Sequence, residues 1–175
     1  MTQHRFFPDL NADTAPGSSG PTLQAVGRNF GGRIPPAIAR LAHSPEALTG
    51  FLTASGTFDK SSLTAVQREV VIMTVAVRNG CHVCIQMHGR TLTSLGASTA
   101  EVEALSGGQA HSDRRLCALQ TFVHSVMDTA GDVDDLAMES FLAAGYTSRQ
   151  ALDVVLGIGA YTISTFANRL TRAPA

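Results

Sequence analysis

Charge is scarce in this chain. Only 15% of its 175 residues are Asp, Glu, Lys or Arg, against about 25% in an average soluble domain. The net charge is −1. That excludes the strong electrostatic footprint needed for nucleic acid or an anionic membrane. A long apolar run is also missing. The nearest candidate, ALDVVLGIGAYTIST at 151–165, carries Asp153 and is too short to span a bilayer. The opening MTQHRFFPDLNADTAPGSSG has no apolar stretch followed by a small-residue cleavage site. The expectation is a cytoplasmic chain in a reducing compartment, where a close cysteine pair is seldom a static staple. Alternation with period two is nowhere sustained, and no fixed-period repeat is present.

What remains is apolar and helical. Apolar residues make up 44%. With so little charge, the chain is expected to bury surface beyond its own core, as a homo-oligomer. Residues 1–21, rich in Pro, Gly, Ser and Asp, read as a flexible N-terminal arm. NFGGRIPPAI at 29–38 supplies turn chemistry. From there a cap, an apolar period near 3.6 and a glycine recur six or seven times.

Ser44-Pro45-Glu46 opens a helix to about Ala54, and Thr64 with Gln67 forms a capping box for VQREVVIMTVAVRN, stopped by Gly80. A helix from about Cys81 to Leu95 follows. Ser98 with Glu101, Ser112, Asp132, and Thr147 with Gln150 open four more, the last running to about Leu170. VVIMTVAV is β-branched enough for a buried strand, but its length, cap and polar helix-forming flanks favour helix. Residues 22–175 therefore read as a single all-α domain of antiparallel helices.

Chemistry concentrates in NGCHVCIQMH, residues 79–88. Cys81 and Cys84 can pack, hold a metal or exchange electrons. Zinc prefers four ligands. Cys81, Cys84 and His88 supply three and His82 a possible fourth, with no second CxxC or CxxH to complete the set. A thioredoxin-like site would need a preceding strand. Position favours reactivity, because cysteines in a first helical turn meet unpaired N–H groups and the positive end of the helix dipole. His88 lies one turn after Cys84 on the same face.

Glu69 sits on a helix face otherwise made of Ile72, Met73 and Ala76, so its carboxylate needs a partner. Arg90 and Arg169 are candidates. If the two helices form a hairpin about Gly80, Glu69 lies roughly 15 Å below the turn, His88 roughly 10 Å and Cys84 about 5 Å. Glu69 then reaches His88 but hardly the sulfurs. The order Glu69, His88, Cys84 is that of a proton relay in which a carboxylate orients an imidazole that serves a thiol.

Glu69, Cys81-x-x-Cys84 and His88 at these separations resemble the AhpD-like alkylhydroperoxidases of the carboxymuconolactone decarboxylase superfamily. LAHSPEAL at 41–48, the Leu63-Thr64 helix opening, VRNGCHVC at 77–84 and FANRL at 166–170 agree. The resemblance implies an all-α AhpD-like fold, trimers or hexamers, and thiol-dependent peroxidase or disulfide oxidoreductase activity. Cys81 and Cys84 would be the redox pair, and His88 and Glu69 the relay. No bound cofactor is implied. The expected partners are a hydroperoxide or disulfide substrate, an external dithiol of lipoamide type, and a peroxiredoxin or lipoylated protein. In the best-known members a histidine precedes the second cysteine; here that position is Val83, with His82 one step earlier. The superfamily's lactone decarboxylases generally lack the cysteine pair. A Cys/His metal module and a non-redox, small-molecule-binding member of the superfamily are the alternatives.

Elsewhere, Cys117 reads as core, and His43, His111 and His124 as capping or surface groups. Gly157 and Gly159 suit a close helix approach, within the chain or across a subunit interface. Phe6, Phe7 and Phe30 are candidates to anchor the arm on a neighbouring subunit.

Overall fold

The computed structural model describes residues 5–174. They form nine α-helices, with no strand among the described residues: α1 (Ser19–Asn29), α2 (Pro36–Leu41), α3 (Pro45–Phe58), α4 (Ala65–Arg78), α5 (His82–Ser94), α6 (Thr99–Ser106), α7 (Arg114–Asp128), α8 (Asp135–Ala143) and α9 (Ser148–Leu170).

Helix α4 is the centre. It packs against α5, α6, α7 and α9, and Val70, Val71, Ile72, Met73, Val75 and Ala76 are all buried. A helix enclosed on every side has no polar stripe, so VVIMTVAV lacks the one-sided pattern of a surface helix. Its start is fixed by the capping box: Gln67 N–H donates to Thr64 Oγ1 (3.3 Å) and Thr64 N–H to Gln67 Oε1 (2.9 Å). Boxes at Ser98/Glu101 and Thr147/Gln150 open α6 and α9 in the same way. α7 and α8 begin one and two residues later than the sequence suggests. Asp113 and Asp134 are the caps, each carboxylate accepting from the first-turn N–H groups.

Helices α4 and α5 make a hairpin. Gly80 takes the left-handed conformation (φ +65°), and Cys81 N–H donates back to Ala76 O (2.9 Å) across it. Arg169 of α9 closes the turn by donating to Asn79 O.

Helix α9 lies across α3 and α4. By length and composition alone it is apolar enough to cross a membrane, unlike the 151–165 segment read in isolation. In the fold its buried side packs on the chain's own core and carries Tyr161, Ser164, Thr165 and Asn168. Gly157 meets the Phe58 ring there, so the close approach is internal. Gly159 is exposed and touches nothing within 4 Å of where a Cβ would stand.

Residues 5–21, read as part of an arm, lie against the domain, and α1 begins inside that range at Ser19. Asp9 pairs with the buried Arg40 (2.6 Å), and Pro8 O lies 2.9 Å from His43 Nε2. Phe7 meets the His43 ring edge-on within the same chain. Residues 1–4 of the expected arm lie outside the described residues. α3 runs to Phe58 rather than Ala54, and α1 and α2 are additional to the helices expected.

Candidate functional site

Cys81 is the N-cap of α5, with no side-chain capping bond, and Cys84 closes the first turn. The two form a disulfide with Cα atoms 5.3 Å apart. Each cysteine is only 1% exposed, with Ala76 of α4 in the same small buried cluster. The positive end of the α5 dipole lies at this turn.

One turn further along α5 stands His88, 8% exposed. Its Nδ1–H donates to Glu69 Oε2 of α4 at 2.8 Å. An ionised carboxylate only accepts, so the proton belongs on Nδ1 and the Nε2 lone pair is left available. Neither Arg90 nor Arg169 takes the Glu69 carboxylate. Arg90 is exposed, and Arg169 is engaged at Asn79 O. The hairpin thus joins Glu69 and His88, as the depth argument requires.

Helix α9 adds two residues that sequence reasoning did not single out as members of the site. Tyr161 presents its ring edge-on to His88, centroids 5.4 Å apart. Its hydroxyl lies 3.3 Å from Ser55 Oγ, and burial raises its pKa above the ordinary tyrosine value. It is therefore a neutral wall that holds the imidazole plane. Asn168, 5% exposed, donates from Nδ2 to Cys84 Sγ at 3.3 Å. Beside it, Asn79 Nδ2 donates to Thr165 Oγ1 (2.9 Å), fixing α9 over the hairpin turn. A signal for these residues was present. Tyr161, Ser164, Thr165 and Asn168 fall on one face of an otherwise apolar helix, and polar groups so placed need buried partners.

His82 is exposed and Val83 half-buried at the positions flanking the pair's centre. No group of three His, Cys, Asp or Glu side chains among the described residues converges to hold a metal ion. Cys117 is half-buried on α7 rather than fully in the core. His111 Nδ1 accepts from Asp113 N–H beside the α7 cap.

Residues 42–118, the stretch that contains Glu69, both paired cysteines and His88, match the carboxymuconolactone decarboxylase family. No curated protein matches the chain. Solved structures do. The fold is similar to that of an uncharacterised peroxidase-related protein from Ralstonia eutropha JMP134 with an alkylhydroperoxidase AhpD core, at TM-score 0.84 and 18% identity over 99% of this chain and 93% of that one. A peroxidase-related protein from Silicibacter sp. TM1040 gives TM-score 0.80 at 18% identity over 99% and 94%. The debrominase Bmp8 gives 0.70 at 14% identity over 90% and 85%. The segment that bears the site thus matches the carboxymuconolactone decarboxylase family, and the helical fold around it is AhpD-like.

Proposed function

We propose that the chain is a dithiol oxidoreductase of the alkylhydroperoxidase type, cycling Cys81 and Cys84 between thiols and disulfide. The observation that carries this reading is the Glu69–His88 hydrogen bond one helical turn from a cysteine pair already close enough to bond.

In the reduced protein, Cys84 gives its proton to His88 Nε2 and attacks the terminal oxygen of a hydroperoxide. An S–O bond forms, the O–O bond breaks, and the alkoxide leaves with the proton His88 carries. Cys84 is then a sulfenic acid. Cys81 attacks that sulfur and water leaves, giving the disulfide. An external dithiol of lipoamide type, free or on a lipoylated protein, supplies two electrons by thiol–disulfide exchange and becomes a disulfide itself. Glu69 keeps the Nδ1 proton in place, so Nε2 is the atom that receives and returns the proton. Burial of both sulfurs favours a small hydroperoxide and a slender dithiol over a bulky disulfide. A peroxiredoxin is a candidate user of the same electrons.

The reading sets this chemistry in the cytoplasm and in a homo-oligomer, a trimer or hexamer. Exposed Leu152, Val155, Phe166 and Leu170 on the outer side of α9 support association. Light scattering tests it, and a monomer at micromolar concentration would refute it.

The deciding experiment is hydroperoxide consumption with dihydrolipoamide by the wild type, Cys81→Ser and Cys84→Ser. Loss of turnover in both variants is expected. Wild-type turnover in both would end the proposal.

A further inference from the structure

We infer that Asn168 is a positioning residue for the redox pair, and that its side-chain amide makes Cys84 the sulfur that carries negative charge in the reduced protein. The inference rests on the redox reading above and adds a residue and an assignment of roles to it.

The amide is costly where it stands. Asn168 is 5% exposed, on the face of α9 that packs over the hairpin, and its Nδ2 has two N–H donors to satisfy away from the surface. One partner is Ser164 Oγ at 3.4 Å, on its own helix; the other is Cys84 Sγ at 3.3 Å, from α5. A disulfide sulfur is a weak acceptor. A thiolate is a strong one, because a hydrogen bond to a charged group is roughly twice as strong as a neutral one. The same N–H therefore does little for the oxidised protein and much for the reduced one. A donor that prefers one state shifts the equilibrium toward it.

The two sulfurs are not treated alike. Cys81 sits at the cap position and its side chain makes no capping bond; Cys84 lies inside the first turn, with Asn168 aimed at it. When an external thiolate attacks Cys81 Sγ, a new S–S bond forms to the attacker, the Cys81–Cys84 bond breaks, and the electron pair leaves on Cys84. That departing charge meets the Asn168 N–H and the α5 N-terminus. In the opposite direction the same thiolate is the one poised to attack a hydroperoxide.

Arg169, the next residue, holds Asn79 O and lies 3.5 Å from where a Gly80 Cβ would stand. It fixes the register of α9 against the turn, so that residue 168 faces Cys84. Besides Arg68 and Arg78 of α4, His82 and Arg90 of α5, and Arg149 and Asp153 of α9, the surrounding helices carry four ionisable groups with contacts at the hairpin: His88, Glu69, Tyr161 and Arg169. All four are left unchanged in the test variants.

The test titrates one thiol. In a Cys81→Ser/Cys117→Ser background, Cys84 is the only thiol in the chain, and its ultraviolet thiolate band gives a pH midpoint without requiring reagent access. Asn168→Leu removes the donor with a larger side chain that branches at the same carbon, and Asn168→Asp replaces it with an acceptor of the same shape. Both are expected to raise the midpoint by about one pH unit or more, with Asp the larger. Thr165→Val, which removes the neighbouring bond to Asn79, is expected to leave it in place; a purely structural role for this corner would move all three alike and overturn the inference. In a Cys117→Ser background that keeps the pair, Asn168→Leu is expected to disfavour reduction about tenfold at a pH where Cys84 is ionised, about 30 mV. An unmoved midpoint in folded Asn168→Leu or Asn168→Asp overturns the proposal. Should neither variant fold, the Asn168 side-chain amide proton shift in the Cys81→Ser/Cys117→Ser protein decides: it must follow the Cys84 titration, and a flat trace overturns the proposal. The titration does not depend on turnover. If Cys81→Ser and Cys84→Ser both keep wild-type turnover, the redox reading fails whatever the midpoint does; if only the midpoint is unmoved, only Asn168's role fails.

Discussion

Two glycines two residues apart in α9 should respond unequally to alanine, stabilising at Gly159 and not at Gly157. At Gly159 the helix is exposed, and no heavy atom lies within 4 Å of a new Cβ. Alanine there gains only the helix-propensity difference, about 1 kcal/mol of added stability. At Gly157 the same gain applies, but the new Cβ would stand 2.7 Å from Cε2 and Cζ of Phe58 and 3.1 Å from Val71 Cγ1. Phe58 is fully buried and packs edge-on against Tyr161, with centroids 6.1 Å apart. The ring cannot yield without pushing the residue that walls His88. Overpacking of this kind costs about 1–3 kcal/mol. The net effect of Gly157→Ala runs from about neutral to about 2 kcal/mol destabilising, and the gap between the two variants is about 1–3 kcal/mol. Urea denaturation of both, with the slope checked for constancy, reads the gap. A double variant with Phe58→Leu should recover about 1 kcal/mol relative to the sum of the singles, because the clashing edge is gone. If Gly157→Ala stabilises the protein as much as Gly159→Ala, the packing argument for this helix crossing is wrong.

Three further outcomes are expected. Glu69→Gln should keep the fold but cut hydroperoxide turnover about 100-fold, and a loss of less than about threefold would remove Glu69 from the relay. Burial holds Tyr146 and Tyr161 protonated above the ordinary tyrosine value. The folded chain then keeps protons that the unfolded chain releases from about pH 10, so this stability is present below that pH and lost as pH rises through the folded values. Urea midpoints across about pH 9–11 should fall, and Tyr161→Phe should flatten part of the fall. Arg40→Met should cost about 3 kcal/mol, because it leaves Asp9 and the carbonyls of Thr171 and Arg172 without their buried partner; thermal denaturation checks it.

Helix starts were legible where a side chain announces them. Ser44, Thr64, Ser98 and Thr147 are all N-caps whose side chains accept from the first turn. Helix α1 was not legible for a physical reason. Its buried positions are Ser19, Gly20, Leu23 and Gly27, so only one of the four carries a large apolar side chain and no period shows. The Glu69–His88 contact was legible because both residues belong to helices joined by one glycine, where rise per residue alone sets the depth. Asn168 was not, because its contact with Cys84 spans 84 positions. Only the docking of α9 across the hairpin brings them together, and no local spacing encodes it. The enclosed α4 had the opposite problem: burial all round erased the stripe that usually marks a helix, and the cap had to decide.

Arg40 joins two regions far apart in the chain. Its guanidinium gathers Asp9 from the N-terminal stretch and the carbonyls of Thr171 and Arg172 just past α9. Clipping the chain after residue 9 would strand that cation beside the last turn of the helix that brings Asn168 to the sulfur. A proteolytic nick that removes Asp9 would thus be felt three residues from Asn168, and truncated variants should be compared only when they share the same first residues.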